Sequence, residues 1–217
     1  MTQILSTKKL SKALKNKLSD AKIKLVEKNF IQTKPIDFET PQLNDYLVFT
    51  SKEAVKSVLK SETKNVLSKS CLCVGSKTRS FLEKKGFTVL ESADYAEELI
   101  QIIESKYKTN SFTFFCGNIR RNTIPAFFQQ NKIAYNEIVV YETKLKPHQI
   151  KESFDGVLFY SPSGVNSFLE NNTLGNKTCF CIGTTTAKAL ENKTKNIVIT
   201  SQPTVEHVID EVIKYYK

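Results

Sequence analysis

Hydroxyl, glycine and basic residues recur in short turns of this sequence, each turn following an apolar run and preceding hydrophobic residues at helical spacing. Hydroxyl groups and unpaired backbone amides at the start of a helix bind carboxylates and phosphates, and a nearby lysine or arginine adds positive charge. The candidate binding residues are Thr50, Ser51, Lys52, Ser76, Thr78, Gly117, Asn118, Arg121, Ser161, Ser163, Gly164, Thr184 and Thr186. Helix capping explains any one Ser or Thr taken alone. Recurrence of these turns in both halves of the chain favours a shared cleft that binds an anionic ligand.

The cysteines and histidines form no metal-binding or disulfide pattern. The five cysteines are Cys71, Cys73, Cys116, Cys179 and Cys181. This odd set has no Cys-x-x-Cys spacing, and its two Cys-x-Cys pairs lie in apolar runs, so we expect small buried hydrophobic residues. His148 and His207 are too few and too far apart in the sequence to predict a metal site or a Ser-His-Asp triad. The sequence therefore predicts no bound metal.

The glycine pattern also argues against nucleotide cofactors. Neither Gly-x-Gly-x-x-Gly nor Gly-x-x-x-x-Gly-Lys-Ser/Thr follows an apolar run. Dinucleotide binding and Walker-type nucleotide binding both lose support from this absence. An enzyme with this sequence would act mainly by positioning an anionic substrate, without a cofactor.

Length and composition indicate a folded globular protein of one large domain or two small ones. The chain has 217 residues, of which 40% are hydrophobic and 25% charged. No apolar run is long enough to span a bilayer or to form a secretory signal, so a cytoplasmic protein without membrane association is expected. The net charge of +10 favours an anionic partner, but charge alone does not choose among nucleic acid, lipid and a polycarboxylate.

An internal repeat with an offset near 110 residues organises the chain. Residues 45–59 align with residues 155–169, sharing Asp, Phe, Ser, Val, Ser and Leu in register. Residues 71–78 align with residues 179–186, and the repeat continues into the apolar pairs that follow. The chain therefore contains two copies of one structural unit.

Each copy alternates short apolar runs with helix-spaced hydrophobic residues, which is typical of βα units. Runs that are apolar on both faces favour parallel strands covered by helices on both sides. We therefore predict the α/β class, with two similar doubly wound parallel-sheet domains.

Two candidate linkers, at residues 35–39 and 141–144, are indicated by the proline-bearing stretches Thr33-Lys-Pro-Ile36 and Thr143-Lys-Leu-Lys-Pro147. The repeat alone leaves open whether the domains are sequential or interleaved. If both linkers cross between the same two bodies, residues 1–34 and 145–217 form one domain and residues 40–140 form the other.

An ordered set of motifs in this sequence closely resembles the uroporphyrinogen-III synthase family. The motifs are Phe49-Thr-Ser51, Val74-Gly75-x-x-Thr78, Gly117-x-x-x-Arg121, Val140-Tyr141-x-Thr143, Phe159-x-Ser-Pro-Ser-Gly164 and Ile182-Gly183-x-x-Thr186-Ala187. The resemblance covers about residues 45–190. The first strand departs from the family pattern, with Lys8 where an arginine is usual and no glycine around Ala21.

The resemblance implies the interleaved arrangement, with a two-stranded linker and both chain ends in one domain. It implies a cofactor-free, hydro-lyase cyclisation of hydroxymethylbilane to uroporphyrinogen III, in which the terminal pyrrole ring is inverted. Tyr141 matches the family tyrosine proposed to assist departure of the hydroxyl group, and Thr78 and Thr186 match threonines that face the cleft. A monomer is expected, with the enzyme that forms hydroxymethylbilane as a candidate partner and no nucleic acid or membrane partner.

Two other classes of function remain open on the sequence. A non-catalytic two-domain binding protein for an anionic small molecule predicts affinity without turnover. A nucleic-acid binder predicts a steep salt dependence of binding, although no basic-aromatic motif supports it.

Overall fold

The computed structural model describes residues 1–39, 42–61 and 64–217, and within them the chain divides into two compact units. The terminal unit contains residues 1–32 and 144–217, and the central unit contains residues 33–143. The sequence-based start of the central domain at residue 40 lies outside the described residues. None of the described helices is long and apolar enough to cross a membrane.

Short strands and helices alternate along the chain. The strands are β1 (Gln3–Ser6), β2 (Lys24–Glu27), β3 (Ile31–Pro35), β4 (Tyr46–Phe49), β5 (Cys71–Val74), β6 (Val89–Ala93), β7 (Phe112–Gly117), β8 (Tyr135–Leu145), β9 (Gly156–Phe159), β10 (Thr178–Cys181) and β11 (Ile197–Ile199). The helices are α1 (Lys12–Asp20), α2 (Lys52–Ser61), α3 (Lys64–Leu67), α4 (Ser76–Lys84), α5 (Ala96–Lys106), α6 (Thr123–Gln130), α7 (Pro162–Leu169), α8 (Thr184–Lys188) and α9 (Val205–Tyr216).

Equivalent strands have the same spatial order in the two sheets, although they follow one another in a different order along the chain. The terminal unit has the order β11-β10-β9-β1-β2, and the central unit has β6-β5-β4-β7-β8 with β3 at the edge beyond β8. The repeat aligns β4 with β9 and β5 with β10, and these occupy equivalent places in the two sheets. Neighbouring strands are parallel from β11 to β2 in the terminal sheet and from β6 to β8 in the central sheet. The predicted α/β class with parallel sheets is confirmed.

Successive side chains along each strand of the central sheet point to opposite faces and pack into two separate cores. Leu47 and Phe49 of β4 pack with α2 and α4 on one face, whereas Val48 between them packs with α5 and α6 on the other. Both faces are apolar because helices cover both, which explains the unbroken hydrophobic runs in the sequence. The terminal sheet is covered in the same way by two further hydrophobic clusters.

All five cysteines are free and buried, which confirms their assignment as core residues. Cys71 and Cys73 alternate along β5 and therefore lie in the same core, and Cys179 and Cys181 do the same along β10. Burial raises the pKa of all five thiols, to about 11 for Cys73 and about 12 for the others. These thiols are therefore protonated at neutral pH.

The segment predicted as the second linker continues β8 without interruption as far as Leu145. β3 is its neighbour, and the N–H of Ile36 donates to the carbonyl of Val140 at 3.2 Å. Further along, the N–H of Lys146 donates to the carbonyl of Phe30 at 2.8 Å. Main-chain hydrogen bonds therefore join the residues on either side of β3 to β8 and to the residue that follows it.

Candidate functional site

The central sheet changes winding direction between β4 and β7. From β4 the chain proceeds outward to β5 and β6, whereas from β7 it proceeds the other way to β8. Crevices at the carboxyl ends of such strand pairs are the usual ligand sites of open parallel sheets. Three of the candidate residues lie around this edge: Ser51 after β4, Gly117 at the end of β7 and Tyr141 in β8.

Ser51 bonds directly to Tyr141. Its Oγ accepts the N–H of Ala54 at 3.2 Å, which caps the first turn of α2, and it donates to Tyr141 Oη at 3.1 Å. Tyr141 is partly buried, and its ring packs against the core that contains Phe49 and Phe115. One serine therefore both caps a helix and fixes a phenol.

Gly117 provides the space that the Tyr141 ring occupies. A Cβ atom added to Gly117 would lie 2.4 Å from Tyr141 Cζ and 2.9 Å from its Oη. Real Cβ atoms do not approach other atoms so closely, so any side chain at this position would displace the ring. Close approach to the phenol, rather than an unusual backbone angle, is the reason for glycine here.

A register shift brings Tyr141 beside Gly117. Cys116 of β7 pairs with Val139, but the next residue, Gly117, pairs with Tyr141, so that β8 has one extra residue here. A one-residue shift changes which face a side chain points to. The phenol therefore reaches the strand end because of this irregularity.

Asn118 holds the shifted strand in place. Its side-chain oxygen accepts the N–H of Thr143 at 2.8 Å, its amide group donates to the Thr143 carbonyl at 3.4 Å, and its backbone N–H donates to the Tyr141 carbonyl at 3.2 Å. The sequence predicts Asn118 as an anion-binding residue. In this structure its side chain instead pairs with the backbone of β8.

The environment of Tyr141 keeps its phenol neutral. Burial raises the pKa of Tyr141, the hydrogen bond from Ser51 opposes this, and the nearby Cys116 and Glu53 raise the pKa further. The pKa therefore lies above the usual value for tyrosine. At neutral pH Tyr141 carries its proton and can act as a hydrogen-bond donor or general acid.

Basic residues lie at the start of α2 and along α4. Lys52, Lys77 and Lys84 line a cavity of about 330 Å³ together with Ser76, Ser80 and Phe81. Lys77 and Lys84 are seven residues apart, so both lie on one face of α4. These two lysines are not among the sequence-based candidates, although their seven-residue spacing within a predicted helix indicates a shared face.

The two neighbouring arginines after β7 differ in their partners. Arg120 bonds to Glu137 at 2.8 Å and to Asn122 at 3.1 Å. Arg121 is exposed and makes no ion pair or hydrogen bond with the described residues. Arg121 is therefore the one of the two whose charge is available to a ligand.

Thr78 and Thr186 occupy equivalent repeat positions and have similar surroundings. Their exposed fractions are 6% and 3%, and neither hydroxyl bonds to a described residue. Each follows a Gly-x-x spacing after its strand, and Gly75 has a φ of +92°, a conformation that favours glycine. Each unit therefore has, at this repeat position, a nearly buried threonine whose hydroxyl has unused hydrogen-bonding capacity among the described residues.

The remaining candidates belong to the terminal unit. Ser161 Oγ caps α7 by accepting the N–H of Gly164 at 3.1 Å and lies 3.1 Å from Ser163 Oγ. Thr184 begins α8 and is exposed. In the central unit, Thr50 is partly buried and Ser76 is exposed. These side chains lie at strand ends, where the sequence predicts them.

Ser6 and Tyr160 form a pair in the terminal unit that the sequence does not predict. Tyr160 follows β9 directly, and its hydroxyl lies 3.1 Å from Ser6 Oγ, while Lys8 Nζ lies 5.5 Å from the centre of its ring. Burial raises the pKa of Tyr160 far above the usual value. No spacing in the sequence indicates that Ser6 and Tyr160 meet, because they are 154 positions apart.

Known proteins resemble this chain in sequence and structure. A family model described as uroporphyrinogen-III synthase HemD matches residues 12–210. The uroporphyrinogen-III synthase of Saccharomyces cerevisiae is 28% identical over 211 residues, which covers 80% of this chain and 77% of the yeast protein.

Solved structures agree with this match at the level of the fold. The uroporphyrinogen-III synthetase of Helicobacter pylori has a TM-score of 0.73 and 22% identity, covering 99% of this chain and 100% of that one. A mutant uroporphyrinogen III synthase of Thermus thermophilus has a TM-score of 0.70 and 12% identity, covering 100% of this chain and 98% of that one. The family match spans most of the sequence and confirms the resemblance seen in the motifs: the chain belongs to the uroporphyrinogen-III synthase family, cofactor-independent lyases of haem biosynthesis.

Proposed function

We propose that this chain cyclises hydroxymethylbilane to uroporphyrinogen III and that Tyr141 is the general acid of the dehydration. The observation that carries the role of Tyr141 is its hydrogen bond with Ser51. Because Ser51 donates to Tyr141 Oη at 3.1 Å, the phenolic proton is left for another acceptor. The raised pKa of Tyr141 keeps that proton in place at neutral pH.

The proposed step transfers the phenolic proton to the hydroxyl oxygen of the substrate. The carbon–oxygen bond then breaks with its electron pair on oxygen, water leaves, and a cation delocalised over the pyrrole and its methylene carbon remains. The bridge-bearing α-carbon of the terminal pyrrole attacks this cation to form a spirocyclic intermediate, and its older bond to the methylene bridge then breaks to leave a second cation on that bridge. The other α-carbon of the same ring attacks the second cation, which closes the macrocycle with this ring inverted, and the proton lost from that carbon balances the one that Tyr141 gave. General acid assistance of this kind contributes about 10² to 10⁴ in rate.

We propose that the other candidates bind the acetate and propionate groups of the substrate. Helix N-termini and hydroxyl groups suit carboxylates, and the net charge of +10 attracts a polyanion. The proposed binding residues are Thr50, Lys52, Ser76, Thr78, Gly117, Asn118, Arg121, Ser161, Ser163, Gly164, Thr184 and Thr186. Asn118 and Gly117 would contribute chiefly through backbone groups, since Asn118 uses its side chain on Thr143 and Gly117 has none.

We propose that the enzyme acts as a cytoplasmic monomer that receives its substrate from the hydroxymethylbilane-forming enzyme. Hydroxymethylbilane closes spontaneously to the uninverted type I ring. A short path between the two enzymes would limit that side reaction, which supports direct transfer.

Product analysis tests the proposed function. Freshly generated hydroxymethylbilane is supplied to the purified protein, and the type I and type III products are resolved by chromatography, with heat-denatured protein as the control. We expect type III product in excess of type I. Type I product at the spontaneous rate, together with measurable ligand affinity, would instead identify a non-catalytic binding protein.

A further inference from the structure

The Ser51 hydroxyl uses its hydrogen-bonding capacity in a defined direction. A serine hydroxyl has one hydrogen to donate and two lone pairs that accept. Ser51 Oγ accepts from the Ala54 N–H at 3.2 Å, and it donates its single hydrogen to Tyr141 Oη at 3.1 Å. The helix cap therefore fixes the serine oxygen, and the serine hydrogen points at the phenol.

The Tyr141 hydroxyl makes no other hydrogen bond with the described residues. Its own hydrogen is not needed for the bond with Ser51, because Tyr141 Oη is the acceptor in that bond. The ring has little freedom to tilt, since the backbone of Gly117 packs against its Cζ and Cε2 atoms. Gly117 thus restricts the position of the Tyr141 oxygen, and the hydrogen bond from Ser51 leaves the phenolic proton unused.

We propose that Ser51 is a positioning residue for the dehydration: its O–H holds Tyr141 with the phenolic proton free and then stabilises the phenolate formed when that proton leaves. This inference rests on the proposed role of Tyr141. The proton goes from Tyr141 Oη to the departing hydroxyl, and the negative charge left on Oη receives the hydrogen bond from Ser51. Hydrogen bonds to charged groups are stronger than those to neutral ones, so the bond gains strength as the reaction proceeds.

Among the groups around the phenol, Ser51 is the one that favours a phenolate. The titratable groups near Tyr141 are Cys116 on β7 and Glu53 on α2, and both disfavour a phenolate. Burial of the ring acts in the same direction, whereas the bond from Ser51 lowers the pKa. Removing the Ser51 hydroxyl would leave burial and Glu53 unopposed.

A double-mutant cycle with Tyr141→Phe tests the proposal. We expect Ser51→Ala to lower kcat about 10- to 100-fold, with a smaller change in KM, because a hydrogen bond to a charged group is lost. Ser51→Thr keeps the hydroxyl and should recover most of kcat. In the Tyr141→Phe background, Ser51→Ala should change kcat less than threefold, since the group it acts through is gone.

A spectroscopic titration measures the hydrogen bond independently of activity. Tyrosine labelled with ¹³C at Cζ gives a resonance that Tyr141→Phe assigns, and we expect its pKa to be higher in Ser51→Ala than in the unmodified protein. Ser51→Ala also removes the cap of α2, so Ser161→Ala, which removes the equivalent cap of α7, calibrates the accompanying fall in melting temperature.

The outcomes separate this inference from the role of Tyr141 itself. A loss of kcat that persists in the Tyr141→Phe background would mean that Ser51 acts on the substrate directly, and this would overturn the positioning role. An unchanged Tyr141 pKa in Ser51→Ala would also overturn it. Normal turnover of Tyr141→Phe would refute the general-acid proposal as well, even if the titration still detected the hydrogen bond.

Discussion

Each unit contains a tyrosine hydroxyl that meets a serine at a strand end, but the two hydrogen bonds run in opposite directions. In the terminal unit, Ser6 donates its hydrogen to the Lys8 carbonyl at 2.6 Å, so Tyr160 must donate to Ser6 Oγ. In the central unit, Ser51 donates to Tyr141. The phenolic proton of Tyr160 is used within the fold, whereas that of Tyr141 bonds to no described residue.

A second difference lies in how side-chain space is used near the ends of β1 and β7. Thr7 is 3% exposed, and its Oγ1 donates to the Leu158 carbonyl at 2.7 Å. Gly117 at the end of β7 has no side chain, and the Tyr141 ring occupies the space beside it. Near β1 a hydroxyl side chain bonds to the backbone, whereas at the end of β7 the absence of a side chain makes room for a phenol.

The largest effect is expected from removing the phenolic oxygen in the two units separately. Tyr141→Phe should lower turnover about 10² to 10⁴-fold, while the loss of its hydrogen bond with Ser51 costs only about 1 kcal/mol of stability. Tyr160→Phe should cost about 1 kcal/mol of stability from one hydrogen bond and leave turnover close to normal. Rates of type III product formation, measured beside thermal melting of both variants, check this contrast. Early melting of Tyr141→Phe with normal cyclisation would remove Tyr141 from the mechanism.

Filling the space at Gly117 should have the next largest effect. The Cβ of Gly117→Ala would overlap the Tyr141 ring, so we expect a loss of kcat of about 100-fold from displacement of the phenol. Gly164→Ala in the terminal unit is the control for stability, because its Cβ would meet Ser161 Oγ at an ordinary 3.4 Å. Gly164→Ala should melt at or above the normal temperature. Normal turnover of Gly117→Ala would show that the close packing is unimportant.

We expect the buried thiols of the two units to contribute equally to the pH dependence of stability. Their pKa values in the folded protein are about 11 to 12, above the ordinary value of 9.0. The unfolded chain releases these protons first, so stability falls as pH rises above about 9, by up to about 1.4 kcal/mol per pH unit for each thiol. Denaturant titrations between pH 8 and 11 measure this slope. Replacing Cys71 with valine or Cys179 with valine should reduce the slope equally, and unequal reductions would show that the two cores differ.

The smallest effect is expected from removing the Asn118 side chain, which bonds to the backbone of β8. Asn118→Ala removes both side-chain bonds to Thr143, which are exposed, and should cost about 1 kcal/mol of stability. Amide hydrogen exchange at Thr143 should accelerate, because its N–H loses its acceptor. Unchanged exchange there would indicate that pairing with neighbouring strands alone holds this segment.

The α/β class follows from the sequence because its signals are local. Apolar runs such as residues 47–49 and 71–74, followed by turns and helical spacing, predict buried parallel strands, and the repeat predicts two copies. The Cys-x-Cys pairs likewise predict shared faces. The family motifs identify Tyr141 and the turn residues, and the structure arranges Ser51, Gly117 and Tyr141 around one strand edge.

The details of the site escape sequence reasoning because they depend on register and distant contacts. The shift between Cys116 and Gly117 decides that Tyr141 rather than Val140 lies beside the glycine, and a strand pattern does not encode it. The same holds for Asn118, whose side chain bonds 25 positions away to Thr143. Ser6 and Tyr160 meet only because β1 and β9 are neighbours in the sheet.

The division of the chain among the two units has a consequence for its synthesis on the ribosome. Residues 33–143 of the central unit emerge as one continuous stretch, whereas β1 and β2 of the terminal unit must wait for β9, the neighbour of β1, to be made. At about 5 to 20 residues per second, translation from the end of β2 at Glu27 to the end of β9 at Phe159 takes roughly 7 to 26 s. During that interval β1, with the fully buried Ile4 and Leu5, has no partner on its β9 side. β1 is thus made long before the neighbour that completes its packing.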